Sequence, residues 1–241
     1  MSVARQLVKK IMAGVLPRDR FLVSGQGLSA SVDSENSTLK EIAITFDDGP
    51  HPEWTPDVLD ALAEAGWKGT FFVIGERAAE LPHLIQRIVA EGHAIGNHTY
   101  THSDPKQTST AKFQEEVRRT DKLLNELTGV RTVLMRPPKG HLTPGKFHGL
   151  WRGGQSIVLW NVDPQDFSMS DEAAPMSWSH SYVAQHGDVI LLHDRLPYAG
   201  AVVRALSGAQ QEQIRSVAIT NWLPGTQRTI PVPPGVTAVS R

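Results

Sequence analysis

From residue 41 onward, short apolar runs alternate with longer stretches in which apolar residues recur every three or four positions. That alternation predicts parallel strands joined by helices. Strands are expected near Ile42 to Phe46, Thr70 to Ile74, His93 to Gly96, Val133 to Arg136, Ser156 to Val162 and Asp188 to Leu192. Thr55 followed by Pro56 predicts an N-cap with proline at the first helical position; Val58, Leu59, Leu62 and Ala65 then form one face, closed by Gly66. From Ser109 to Leu127 the helical stripe comprises Phe113, Val117, Leu123, Leu124 and Leu127, with Gly129 just past its end. The stretch Pro137 to Gly154 is rich in Pro, Gly and His and reads as a long loop holding at most one helical turn. A helical pattern spans Val202 to Ala218, and a Pro-rich tail begins at Pro224.

At the N-terminus, Val3, Leu7, Val8, Ile11 and Val15 fall at near-helical spacing within a segment, residues 1–20, that carries five basic side chains and one acidic one. The apolar run Ile11 to Leu16 is too short for an export signal, and no stretch reaches the ~18–20 apolar residues of a membrane span. The segment is expected to pack on its own domain rather than to lie on a membrane surface. The chain is expected to be cytoplasmic.

With 241 residues, 40 % of them in the apolar set and 20 % charged, the composition is that of a globular chain and excludes collagen, coiled coil and wholesale disorder. Lys plus Arg number 24 against 25 Asp plus Glu, so no global field exists to gather nucleic acid. Cysteine is absent, which removes thiolate metal sites and cysteine nucleophiles; any metal must sit on His, Asp or Glu.

The side chains suited to catalysis fall where the predicted strands end. Asp47 and Asp48 follow the first strand, His98 and His102 the third, Arg136 ends the fourth, Asp163 and Asp166 follow the fifth, and His193 ends the sixth. In parallel α/β folds the carboxyl ends of the strands form the ligand site, so these residues are expected to converge. His98 and His102, four apart, suit chelation, and two imidazoles plus one carboxylate leave a position open for water on a hydrolytic zinc or another divalent metal. Adjacent aspartates in extended chain point opposite ways, so one can ligate while the other stands as base. Arg136 offers a planar bidentate fork to hold that base ionised. His193, oriented by a carboxylate such as Asp166, is the natural donor to a leaving group.

Five motifs in order resemble the polysaccharide deacetylases with the NodB homology domain, carbohydrate esterase family four. They are Thr45-Phe46-Asp47-Asp48-Gly49-Pro50, His98-Thr99-Tyr100-Thr101-His102, Arg136-Pro137-Pro138-Lys139-Gly140, Asp163-Pro164-Gln165-Asp166-Phe167 and Leu191-Leu192-His193-Asp194. The resemblance implies an α/β fold, a distorted (β/α) barrel with about seven strands, over residues 39–222, flanked by an N-terminal segment at 1–38 and a tail at 223–241. It also implies metal-dependent removal of acetyl groups, usually from N-acetylated sugars, with zinc foremost among the divalent metals. Asp47 then resembles the base, Asp48, His98 and His102 the metal ligands, and His193 the acid. Arg136 resembles the group that holds the base, and Asp166 the partner of His193. The Lys139 backbone N–H resembles an oxyanion donor, and Leu191 and Phe167 the walls of an acetyl methyl pocket.

Two positions depart from the family pattern: Lys139 stands where an aromatic is usual, and Phe167 where the fourth motif usually ends in Trp. Both predict an altered substrate preference, toward an acidic or smaller sugar. His141, just past the third motif, is a further candidate to face the site. Deformylation, hydrolysis of a small cyclic amide, and carbohydrate binding without catalysis are the alternative readings of the same residues.

Overall fold

In the segment Lys40–Asp47, Ile42, Ile44 and Phe46 belong to one apolar cluster while Ala43 belongs to another, so alternate side chains serve opposite faces of one strand. The computed structural model describes residues 9, 11–28, 39–169, 171, 173–223 and 225–229. Its strands are β1 (Phe21–Leu22), β2 (Lys40–Asp47), β3 (Gly69–Val73), β4 (Ala94–Asn97), β5 (Val130–Thr132), β6 (Leu134–Met135), β7 (Ser156–Val158), β8 (Val189–His193), β9 (Ile214–Ser216) and β10 (Gln227–Thr229). The helices are α1 (Trp54–Ala65), α2 (Gly75–Glu80), α3 (Pro82–Ala90), α4 (Thr110–Thr128), α5 (Pro144–Arg152), α6 (Ala173–Ser181), α7 (Ala199–Gln210) and α8 (Ile219–Trp222).

Seven strands run in the order β1-β7-β6-β4-β3-β2-β8, all paired in parallel, with β9 added beside the start of β2. Past β7 the chain crosses to β8, where Val162 bridges Ile190 and accepts the Leu191 N–H at 3.0 Å. The sheet thus curls into a distorted (β/α) barrel. Ile42, Ile44, Phe46, Ile190 and Leu192 face outward onto α1 and α7 and share a cluster with Val58, Leu62 and Val202. Ala43, Phe72, Val189 and Leu191 lie in the second cluster, on the inner face that also carries Thr45, Asp47 and His193.

Register brings the polar ends level. Asp47 pairs with His193 across β2 and β8, Asn97 pairs with Val73 on one side and Met135 on the other, and Met135 pairs with Ile157. The residues that follow, His98 and Arg136, therefore leave the sheet at one height. Close packing beneath them depends on Gly96: a Cβ there would stand 2.6 Å from two Phe72 ring carbons and 3.2 Å from Leu134 Cβ. Gly96→Ala is expected to cost about 1–3 kcal/mol by overpacking, read as a lower urea midpoint with unchanged slope.

Several expectations need correction. Thr55 is not the N-cap of α1, which begins at Trp54 after Glu53; its Oγ1 instead accepts the His51 N–H at 2.8 Å and donates to Asp194 Oδ2 at 2.6 Å. Between Pro137 and Gly154 lies the full nine-residue helix α5, started by Pro144 at its first turn. The pattern from Val202 to Ala218 breaks after Gln210 and yields β9, because Ile214 and Ser216 complete the register beside Lys40 and Ile42. The strand predicted to Val162 ends at Val158, with Val162 kept as an isolated bridge. Of the N-terminal stripe, Val3, Leu7 and Val8 lie outside the described residues. Residues 11–15 are helical, but Ile11 and Val15 are 56 % and 77 % exposed while Met12, Ala13 and Leu16 pack on the core. Within the C-terminal tail, β10 pairs antiparallel with β5. Among the described residues, no helix is long and apolar enough to cross a membrane.

Candidate active site and metal centre

Asp47 is the last residue of β2, buried and pointing along the inner face toward Arg136, whose Nη1 donates to its Oδ1 at 2.7 Å. Arg136 is fully buried, the costliest placement for a permanent cation, and its remaining donors explain why it is tolerated. Nη1 also reaches Thr45 Oγ1 at 2.8 Å, Nε reaches Val158 C=O at 3.1 Å and Nη2 reaches Leu159 C=O at 3.1 Å, while the guanidinium lies 4.2 Å from the Phe72 ring centroid. The expected bidentate fork on the base is thus absent: Nη1 alone holds Asp47 and the other nitrogens brace the barrel wall.

Asp48 departs from the expected pleat. Its φ is 70°, in the left-handed region, so the division between the two aspartates comes from a turn at the strand end and not from extended alternation. Both carboxylates consequently approach His98: its Nε2 lies 3.6 Å from Asp47 Oδ2 and 3.4 Å from Asp48 Oδ1. His102 Nε2 lies 3.2 Å from the same Asp48 oxygen. Thr99 and His102 also have left-handed φ values, 67° and 56°, so the two histidines are brought together by an irregular loop and not by a helical turn. Their ring centroids are 5.0 Å apart.

These three residues fit a divalent cation. Their ligand atoms all lie within 4.8 Å of one another. Asp48 Oδ1 is buried and has no hydrogen-bond partner, an expensive state for a carboxylate oxygen unless a cation takes it. His98 Nδ1–H donates to the Arg136 carbonyl at 2.7 Å, which orients the ring and leaves Nε2 as the atom facing Asp48. Burial pushes the Asp48 carboxyl up, but His98, His102 and Arg195 outweigh it and hold the group well below the usual carboxylate range. Burial and the neighbouring His98 push His102 down. The cluster is therefore built to hold positive charge.

His193 stands on the other side of Asp47. Asp166 grips it twice, accepting its backbone N–H on Oδ2 at 2.6 Å and its Nδ1–H on Oδ1 at 2.7 Å, so Nε2 is left for the cleft. Burial works against the imidazolium, and Asp166, with Asp47 and Asp48 beyond it, prevails and raises the pKa to about 8. Asp163 does not join the cluster; its Oδ1 accepts the Gln165 N–H at 3.0 Å and shapes the turn that delivers Asp166. Phe167 is 60 % exposed, its ring edge-on to His193 at 6.2 Å, and Leu191 is buried on the inner face of β8.

Lys139 sits in a left-handed turn, φ 57°, and its ammonium pairs with Asp104 Oδ2 at 2.8 Å. His141 lines an apolar cavity of about 650 Å³ with Phe21, Phe147, Leu159 and Trp160, which none of Asp47, Asp48, His98, His102 and His193 lines.

Two residues at the site carried no role in the sequence reading. Asp194 is buried with Oδ2 on Thr55, and a Cβ at Gly49 would fall 2.1 Å from that oxygen, so the turn after Asp48 needs glycine there. Burial and the nearby Asp48 and Asp47 push its carboxyl up to about 7. Arg195 donates Nε–H to Asp48 Oδ2 at 2.7 Å. Its signal in the sequence is only that it follows His193-Asp194 directly.

The polysaccharide deacetylase family profile matches residues 34–147. A peptidoglycan-N-acetylglucosamine deacetylase of Bacillus cereus is 35 % identical over 152 residues, 61 % of this chain and 55 % of its own length. A chitooligosaccharide deacetylase of Bradyrhizobium is 34 % identical over 193 residues, 80 % of this chain and 87 % of its own. Among solved structures, peptidoglycan deacetylase PdaC from Bacillus subtilis superposes with a TM-score of 0.71 at 27 % identity, over 76 % of this chain and 90 % of that one. With the barrel, the ordered motifs and a relative 34 % identical matched over most of both chains, this chain belongs to the polysaccharide deacetylase family.

Proposed function

We propose that the protein is a metal-dependent hydrolase that removes N-acetyl groups from a carbohydrate, with Asp47 as base and His193 as acid. The observation that carries this reading is the juxtaposition of the two groups: Asp47 and His193 are register partners on adjacent strands, at the end of the sheet where Asp48, His98 and His102 cluster. Asp48, His98 and His102 would hold the metal, and zinc suits two imidazoles and one carboxylate. When bound, the metal polarises the acetyl carbonyl and acidifies water.

Asp47, held in place by Arg136, takes the proton of the attacking water as its oxygen adds to the acetyl carbon. The Lys139 backbone N–H supports the developing oxyanion, and Leu191 and Phe167 wall the methyl group. As the carbon–nitrogen bond breaks, His193 Nε2–H passes its proton to the departing amine, and Asp166 stabilises the ring that carries it. Acetic acid and the free amine leave, ionising in water to acetate and an ammonium, and the proton gained by Asp47 equals the one lost from His193.

The test is acetate release from chitooligosaccharides and peptidoglycan fragments, with and without added zinc. Metal-dependent acetate from either supports the reading; none from both, with metal bound, overturns it.

The pH behaviour of His193 follows from its grip by Asp166. In metal-free protein its imidazole is expected to titrate near 8 by NMR, against an ordinary value of 6.5. The raised value means that the contribution of protonated His193 to folding is complete below about 6.5 and is lost as pH rises through about 8. Asp166→Asn removes the partner and is expected to bring the titration back toward or below the ordinary value; an unchanged titration contradicts the assignment.

A further inference from the structure

The two histidines of the metal centre are not anchored alike. His98 is fixed by its own contacts, its backbone N–H on the Val73 carbonyl at 2.9 Å and its Nδ1–H on the Arg136 carbonyl at 2.7 Å. His102 has no such anchors: among the described residues no hydrogen bond holds its ring or its backbone, although its φ of 56° lies in the left-handed region. A non-glycine residue stays there only where its surroundings keep it there. The hold is applied on either side of it. Glu116, on α4, accepts the Thr101 N–H on Oε2 at 3.1 Å. Its Oε1 lies 3.0 Å from the Thr101 hydroxyl and 2.9 Å from the Ser103 hydroxyl, and those two hydroxyls are 2.6 Å apart. One carboxylate thus grips the residues immediately before and after the ligand.

Glu116 is only 3 % exposed, and among the described residues no basic side chain forms an ion pair with it. A buried carboxylate without a cation is costly unless donors are supplied to it, and here every donor to the side chain comes from the loop that carries His102. The same helix secures the start of that loop. Asn97 Nδ2 donates to the Val117 carbonyl at 2.8 Å and to Asp121 Oδ1 at 2.7 Å, while its Oδ1 accepts the Thr99 N–H at 2.7 Å.

We propose that Glu116 is a positioning residue for the metal centre: by gripping Thr101 and Ser103 it holds the loop in which His102 Nε2 stands 3.2 Å from Asp48 Oδ1. This rests on the metal centre of the deacetylase reading. The ligand atoms of Asp48, His98 and His102 lie within 4.8 Å of one another before any ion arrives, so the site is aimed in advance. A loop that sampled other conformations would bind metal more weakly in proportion to the time spent misaimed. Glu116 acts through the loop and not on the ion, so its effect is read in metal affinity.

The test is the zinc dissociation constant, measured by chelator competition on folded protein well below its urea midpoint. Glu116→Gln keeps the size of the side chain but sets an amide against the loop's own donors, and is expected to weaken zinc binding about tenfold, at the lower end of the effect of outer-shell partners. Thr101→Val with Ser103→Ala removes the two hydroxyls from the loop side and is expected to weaken it by about threefold or more. Because both changes cut the same bonds, all three substitutions together are expected to bind zinc about as weakly as Glu116→Gln alone. A residue that only buttresses the fold would lower the urea midpoint of the metal-free protein and leave the zinc constant where it was. An unchanged zinc constant in Glu116→Gln, or losses that multiply when the changes are combined, overturns the proposal. If Glu116→Gln does not fold, the paired loop substitutions decide alone, and unchanged affinity there overturns it equally. A wild-type protein that binds no zinc sinks the metal centre and this proposal with it, which distinguishes that failure from one confined to Glu116.

Discussion

Asp47→Asn lowers kcat by about three orders of magnitude while the metal content stays near that of wild type. The size follows from removing a positioned general base, which contributes typically 10²–10⁴-fold. Retention of metal follows from the geometry: the three groups whose ligand atoms cluster are Asp48, His98 and His102, and Asp47 is instead held by Arg136 Nη1 at 2.7 Å. An asparagine keeps the shape of the side chain and still offers Arg136 an oxygen. Steady-state acetate release paired with metal analysis of the same sample decides the matter. A metal-loaded Asp47→Asn protein with wild-type turnover contradicts the role of Asp47, and a protein that has lost its metal makes Asp47 a ligand.

His98→Ala produces the complementary result, a folded protein whose affinity for metal falls by more than about a hundredfold. Outer-shell partners of a metal site are worth about 10–100-fold, and His98 is proposed as a direct ligand. Its ring is oriented by the Arg136 carbonyl on Nδ1 and turns Nε2 toward the two aspartates, so its loss leaves Asp48 and His102 as a two-point site. Chelator competition reads the affinity, and circular dichroism shows that the barrel persists. Unaltered affinity in His98→Ala would remove His98 from the metal site. The two variants together separate the base from the ligands, because one loses turnover with metal and the other loses metal.

The barrel was legible because its strands are nearly continuous apolar runs and its longest helix carries standard ends, Ser109 accepting from the Lys112 N–H and Gly129 in the left-handed region. Strands β1, β5, β9 and β10 were not legible: each has only two or three residues, and their pairing is decided by neighbours distant in sequence, such as Gln227 beside Thr132. At the site, the residue types and their convergence could be read, but the means of convergence could not. Three left-handed residues, Asp48, Thr99 and His102, aim the ligand cluster, and none is a glycine that would have announced the turn. The pairing of Lys139 with Asp104 was not legible because the two lie 35 residues apart in the chain. Arg195 escaped notice because its hydrogen bond to Asp48 spans 147 residues.

The central claim is that Asp48, His98 and His102 hold one metal on which hydrolysis of an acetamido group depends. Titrating metal-stripped protein with zinc while following acetate release from an N-acetylglucosamine oligomer measures it directly. Activity is predicted to rise from near zero and to break at one equivalent of zinc per chain, with His98→Ala showing no break. Full acetate release from the stripped protein, or a break that survives in His98→Ala, would contradict it.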